Sequence, residues 1–400
     1  MPNALQVTQT GERMAVYLDH AATTPLREEA RDAWMRAASL LGNASSIHTA
    51  GQASRRLLEE SRERVAAVLD CDPIEVVFTS GGTEAVNLAL KGLWWSRADA
   101  ADAIVLPDGE HHATLDAVDW LVGYEKAVVR PVGLDDVGRI PVPDFEAALV
   151  GAALGTALIA NNETGTINDA DALSAGAARA SVPLHLDAIA AFGHVPVSFR
   201  RLRGSADGGS GLVALSVSAH KIGGPVGVGA LVVARSASLT PVQHGGGQQR
   251  RLRAGTQDVP GAAAFATAAE LAAGELDDEA QRLSQLRERL VRGILATVPG
   301  AVLLGDPTDR LPGNAHLLFP GARGETLLFL LDQHGIAAST GSACQAGVPE
   351  PSHVVLALGR SAADASDVLR FTLGRTSSEG DVDALLAVVG SVVARARAAR

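Results

Sequence analysis

Ser216-Val217-Ser218-Ala219-His220-Lys221-Ile222-Gly223-Gly224-Pro225 is the stretch from which the rest of the chain is read. The apolar run Leu212 to Val217 leads into it, and its lysine is one of three in 400 residues, beside Lys91 and Lys126. Lys and Arg together number 34, so Arg fills nearly every other positive position. Arg cannot replace an amine that must lose its proton. A lysine becomes a nucleophile, and forms a Schiff base, only when neutral, and desolvation in an apolar pocket moves its pKa toward working pH. The glycines behind it let backbone and a bulky ligand approach closely. A surface lysine at a strand end fits these ten residues equally well, and the surrounding chain decides between the two.

Outward from that stretch, short β-branched runs alternate with helical patterns. The runs are Val76 to Phe78, Ala103 to Leu106, Val128 to Val132, Thr156 to Ala160, Val182 to Leu186, Leu212 to Val217 and Gly229 to Val233. The alternation predicts an α/β fold, a mainly parallel sheet with helices on both faces. Ligands of such sheets sit beyond the carboxyl ends of the strands. Gln52 to Leu69 places Leu57, Leu58, Val65, Val68 and Leu69 on one side of an amphipathic helix. Gly204 to Gly211 reads as a flexible loop before the lysine strand. Past about Gly261 the pattern turns to a long charged helix, Glu275 to Leu295, then short strands and helices. The expected division is an arm over 1–16, a large domain over 17–261 and a smaller α+β C-terminal domain over 262–400, the last carrying Cys344 and Arg370 back to the site.

Composition narrows the function classes. The chain is too long for one compact core, and 47% apolar with 20% charged residues is ordinary for a soluble globular protein. Residues 1–12 are polar, without the apolar stretch of a signal peptide, and no 18-residue apolar run is present. A cytoplasmic protein without a membrane anchor is expected. A net charge of −11 and a pI near 5.5 argue against nonspecific nucleic-acid binding. Two basic knots, Arg200-Arg201-Arg203 and Arg250-Arg251-Arg253, are left for phosphate, an acidic partner or solvent. Cys71 and Cys344 are the only cysteines, too few for a disulfide or zinc framework. Cys71 follows Val68-Leu69 at a helix end and reads as an inert, partly buried thiol, whereas Cys344 sits among small residues, Ser339 to Gly347, that suit an accessible loop. No metal site emerges from the spacing.

Two further stretches carry chemistry. Phe78-Thr79-Ser80-Gly81-Gly82-Thr83-Glu84-Ala85 runs from a strand into a helix, and backbone N–H groups at such a start bind phosphate. An ordinary capped turn is the plainer reading of it alone. At Leu184-His185-Leu186-Asp187 an acid closes an apolar strand, where it faces the ligand crevice and can hold a heterocyclic nitrogen protonated. A phosphate cradle, a buried acid and a Schiff-base lysine, in that order, match the needs of pyridoxal phosphate.

With these in place the chain resembles the cysteine desulfurases, group I, of the class V aminotransferase superfamily of pyridoxal-phosphate enzymes. The resemblance rests on Leu18 to Pro25 (LDHAATTP), Gly42 to Ser46, Thr79 to Glu84, Glu110-His111-His112, Asn161 to Gly165, His220-Lys221, His244 to Gln248, Ser342-Ala343-Cys344 and Arg370 to Arg375, and it spans about Tyr17 to Val389. It implies an aspartate-aminotransferase-like (type I) fold with a seven-stranded sheet, a homodimer, and removal of sulfur from L-cysteine to give L-alanine and a Cys344 persulfide for an acceptor protein. By the same resemblance Lys221 forms the Schiff base, Asp187 pairs with the pyridine nitrogen, and His111 stacks on the ring and serves catalysis by moving protons. Thr83, the Gly82 backbone, Ser218 and His220 hold the phosphate, with Thr256 reaching it from the other subunit. Arg370 and Asn162 grip the substrate carboxylate, and Cys344 accepts the sulfur.

The chain departs from the family at Ala190, where a Gln is usual three residues after the ring aspartate, at Ala219 in place of Gly, and at Gln345-Ala346. Those departures keep two alternatives open: a specialised C–S or selenocysteine lyase, and a weakly active sulfur-relay subunit. Among the histidines, His112, His185, His194, His334 and His353 read as structural or surface residues, while His20, His48 and His244 sit in loops that can line the site.

Overall fold

The computed structural model describes residues 16–98, 100–206, 208–341 and 350–399. Its strands in chain order are β1 Val16–Tyr17, β2 Val76–Thr79, β3 Ala103–Pro107, β4 Val128–Val132, β5 Leu154–Leu158, β6 Pro183–Asp187, β7 Gly211–Ser218, β8 Gly229–Val233, β9 Val302–Leu304, β10 Asn314–Leu318, β11 Ile336–Ala337 and β12 Val368–Thr372. The central sheet has seven strands in the order β2-β8-β7-β6-β5-β3-β4. Pairings from β7 across to β4 are parallel, and β8 alone runs against its neighbours. Six carboxyl ends therefore point to one edge, where the loops after β2, β3, β5, β6 and β7 meet.

The expected strands recur within a residue or two. The largest shift is at β5, which begins at Leu154 and ends at Leu158 instead of covering 156–160. Gly155 is tolerated in its interior because the helix Val142–Leu149 packs on it; a Cβ there would stand 2.8 Å from Leu149 Cδ2. The far end is lost because Asn161 opens a turn, its Oδ1 accepting from Glu163 N and Thr164 N at 2.9 Å.

Two large apolar clusters account for most of the interior, beside a small third one of Leu304, Leu318, Val355, Ala365 and Val368. One unites the central sheet with the helices on its faces, including Thr49–Leu69 and Val259–Gly274. Leu58, Val65 and Leu69 of the first helix are fully buried, each contributing about 1.5–3 kcal/mol. The second cluster joins the long helix Leu276–Thr297, the helix Glu379–Ala398, the antiparallel sheet β12-β10-β9, and Val16 and Leu18 from the start of the chain. β1 pairs with β11, so the residues that follow it, Leu18 to Thr24, are anchored to the second cluster and lie across the carboxyl edge of the central sheet. Among the described residues no helix is long and apolar enough to cross a membrane.

Candidate active site

A cavity of about 410 Å³ opens at the carboxyl edge of the central sheet, between the two clusters. Gly82, Thr83, His111, Asn162, Asp187, Ser218, His220, Lys221 and Arg370, nine of the eleven residues singled out above, line it together. Thr256 is exposed and lies outside the lining. Cys344 lies outside the described residues, although Ser339 and Gly341, shortly before it in the chain, line the cavity.

Local rules place each group. Gly81, at φ 150°, turns the chain from β2 into the helix Gly82–Trp95, whose N-terminal N–H groups are available to an anion. Glu84 braces the turn, its Oε2 accepting from Ser80 N at 2.7 Å while Oε1 pairs with Arg253 Nε at 2.8 Å. β7 ends at Ser218 and passes into a single 3₁₀ turn, Ala219–Lys221. Gly223 follows at φ 83°, where a Cβ would stand 2.7 Å from Arg27 Cγ. Arg27 in turn holds Ile222 O and Glu275, fixing the lysine turn from behind.

Lys221 Nζ donates to the carbonyls of Ala21 and Ala22. Its pKa is lowered to about 8, by burial first and then by Arg370, against the opposing pull of Asp19 and Asp187. Asp187 is 2% exposed and accepts from Ile189 N at 2.8 Å; burial pushes it up to about 6. Beneath it His185 crosslinks three strands, with Thr156 Oγ1 at 3.0 Å and Ser216 Oγ at 2.8 Å, the structural role expected of it. His111 caps the helix His112–Glu125, its Nδ1 accepting from Ala113 N at 3.1 Å. That bond fixes the neutral tautomer that carries its proton on Nε2. Burial and Lys221 keep the ring neutral, with a pKa of about 4.

Several site residues were not singled out from the sequence. His194 lines the cavity, with Nε2 3.3 Å from Lys221 O. Glu110 is 1% exposed and accepts from Leu158 N at 2.8 Å; burial, then Asp187, pushes its pKa up to about 8. Asp19 pairs with Arg370 at 3.0 Å. An acid preceding the motif histidine was the available signal for Glu110; for Asp19 it was its place in the Leu18 to Pro25 motif, which does not reveal a partner 351 residues away. Ala190 lines the cavity, as do His20, Ile189 and Asn314. The first basic knot is spent on surface pairs, Arg200 with Asp70 and Asp72 and Arg201 with Asp171. Cys71 is buried, and burial raises its thiol to about 12. Among the described residues no group of three or more His, Cys, Asp or Glu could hold a metal ion.

A mainly parallel sheet with a half-buried lysine and a buried acid at its carboxyl edge, beside a helix start, defines a fold-type I pyridoxal-phosphate scaffold. The aminotransferase class-V family model matches residues 16–385, and the chain belongs to that family. It is similar to an IscS-like cysteine desulfurase of Mycobacterium tuberculosis, 48% identical over 96% of this chain and 97% of the relative. Among solved structures it is similar to a NifS-like protein (TM-score 0.87, 30% identity, 95% of this chain and 99% of that one). A second is SspA in complex with cysteine (TM-score 0.77, 27% identity, 90% and 99%).

The family depends on pyridoxal phosphate, and the cavity fits that group. Ser218 Oγ is buried without a hydrogen-bond partner and lies on the lining with Thr83 and the helix start, a donor set for a phosphate. Asp187 supplies a buried negative charge for a ring nitrogen, and Lys221 is an amine whose proton is easily lost.

Proposed function

We infer that this chain is a pyridoxal-phosphate-dependent cysteine desulfurase that takes sulfur from L-cysteine, releases L-alanine and passes the sulfur through Cys344 to an acceptor protein. The observation that carries this reading is the meeting of Lys221, Asp187, His111, Ser218 and Arg370 on one cavity. The likeness to cysteine desulfurases over nearly the whole chain supports it, as does the cysteine-bound state of one structural relative.

When bound, pyridoxal phosphate supplies an aldehyde carbon that condenses with amines and a conjugated ring that takes up electrons from bonds at Cα. The chain does the rest. Ser218, Thr83, His220 and the Gly82 N–H would hold the phosphate, Asp187 would keep the ring nitrogen protonated, and His111 would be the side chain that meets the ring. Arg370, with Asn162 beside it, receives the α-carboxylate of the substrate; a planar guanidinium suits a planar carboxylate. Lys221, partly neutral near neutral pH, moves the proton at Cα. The Cys344 thiolate attacks the substrate sulfur, an S–S bond forms as the Cβ–S bond breaks, and the electron pair stays on carbon. Protonation there gives alanine, and the sulfur is left as a persulfide.

The working unit is proposed to be a cytoplasmic homodimer in which Thr256 reaches the phosphate of the partner. Its exposure supports this, as do the apolar side chains of Leu41, Ile47 and Val226, 89%, 90% and 74% exposed, which a second subunit would cover. The proposed division into arm, large domain and small domain places Arg370 on the small domain and Lys221 on the large one.

The test is alanine formed from L-cysteine, with and without a reducing thiol, in wild type beside Cys344→Ala. Alanine that depends on Cys344 is expected. Pyruvate and ammonia would refute desulfuration and favour a C–S lyase.

A further inference from the structure

The turn from Tyr17 to Thr24 touches both halves of the site. Its Ala21 and Ala22 carbonyls hold Lys221 Nζ, Thr23 Oγ1 stands 3.2 Å from His220 Nδ1, and Asp19 Oδ1 is 3.0 Å from Arg370 Nη2. The turn is braced by its own backbone: Tyr17 OH donates to the Asp19 and Thr23 carbonyls at 3.0 and 2.9 Å, and Ala22 N to Asp19 O at 3.0 Å. None of these bonds uses the Asp19 carboxylate, which spends itself on Arg370.

Arg370 carries five N–H bonds on a side chain that is 5% exposed. Nη1 donates to Asn162 O at 2.9 Å, Nη2 donates to Asp19, and Nε is buried without a partner. The guanidinium is thus pinned through both terminal nitrogens, and an unused donor remains on a side chain that lines the cavity. Such a buried donor is costly to leave unmet.

We propose that Asp19 is a positioning residue that locks the Arg370 guanidinium before substrate arrives, so that a side chain already fixed at the cavity wall receives the α-carboxylate. The proposal rests on the reading of Arg370 as the carboxylate-binding residue. An unrestrained arginine loses rotamer freedom when it binds, and a partner that fixes it beforehand removes that cost from the binding step. The same carboxylate offsets the positive charge of Arg370 beside Lys221, which feels the two with opposite sign. Because Asp19 also raises the Lys221 pKa, the signature of positioning, a rise in KM with kcat kept, is read above pH 8, where that amine is neutral with or without Asp19.

The experiment compares wild type, Asp19→Ala, Asp19→Asn, Asp19→Glu and Arg370→Ala in the cofactor-loaded enzyme. It measures kcat and KM for L-cysteine, and the Kd of the product L-alanine read from the cofactor absorbance. Asp19→Ala is expected to raise both KM and Kd about tenfold with kcat within about twofold. Asp19→Asn, which keeps an oxygen at the same place, recovers most of that loss. Should Asp19→Ala fail to fold, Asp19→Glu carries the test: its longer arm moves the pinning oxygen, and KM and Kd rise. If KM and Kd are unchanged in both while Arg370→Ala raises them, Asp19 does not position the arginine. If Arg370→Ala itself leaves KM and Kd unchanged, the reading of Arg370 fails instead.

Discussion

Ser218→Ala separates a binding group from a structural one by the sign of its effect. Ser218 is 1% exposed, and its Oγ has no hydrogen-bond partner. In the cofactor-free protein that hydroxyl has lost water and gained nothing, a penalty of about 1–3 kcal/mol. Alanine removes the penalty and costs only the packing of one oxygen, so the cofactor-free variant should be as stable as wild type or more stable by about 1–2 kcal/mol. In the loaded protein the same hydroxyl meets an anion, and a hydrogen bond to a charged group contributes about 1.5–3 kcal/mol. The Kd for pyridoxal phosphate should therefore rise about ten- to a hundredfold. Ser378→Ala is the control: Ser378 caps the helix Glu379–Ala398, its Oγ accepting from Asp381 N at 3.3 Å. Losing that cap costs about 1 kcal/mol in both forms and leaves cofactor affinity alone. Urea denaturation of the cofactor-free proteins and a fluorescence titration with pyridoxal phosphate provide the two readings. The argument is refuted if Ser218→Ala destabilises the cofactor-free protein as Ser378→Ala does, or leaves the cofactor Kd unchanged.

Two further outcomes follow from charge in the same cavity. With Lys221 lowered to about 8, the neutral amine should set the rate at which the cofactor-free protein condenses with pyridoxal phosphate, rising about tenfold per pH unit below about 8 and levelling above; stopped-flow absorbance that kept rising toward 10.5 would show an unburied lysine. Asp187 binds its proton more tightly folded than unfolded, so its favourable contribution is present below about 4 and lost as pH rises through about 6. Asp187→Asn, which keeps an oxygen for Ile189 N, should thus melt higher than wild type at pH 7 in the cofactor-free state, with the difference vanishing near pH 4. Its turnover should nonetheless fall by on the order of 10²–10³, and a variant that lost stability at pH 7 would contradict the assignment of a buried charge whose desolvation outweighs the pull of Lys221.

What the sequence showed of this site, and what it hid, follows from the range of the interactions. β6 is a run of five residues that alternates into an acid, β7 ends in serine and leads to the lysine turn, and both are local patterns whose side-chain direction is set by the pleat. Knowing that ligands meet such strands at their carboxyl ends then places Asp187, Ser218 and Lys221 together without any contact being known. The edge β2-β8 escaped this logic, because direction across a sheet depends on the connection and not on the strand. Asp19, Glu110 and His194 escaped it for a different reason. Each is defined by its partner: Arg370 across the two clusters, Leu158 on a neighbouring strand, and the carbonyl of Lys221. A residue whose role is to hold another has no pattern of its own, and only the fold, by bringing the first strand of the chain beside the last, shows that the carboxylate of Asp19 belongs to the site of Lys221.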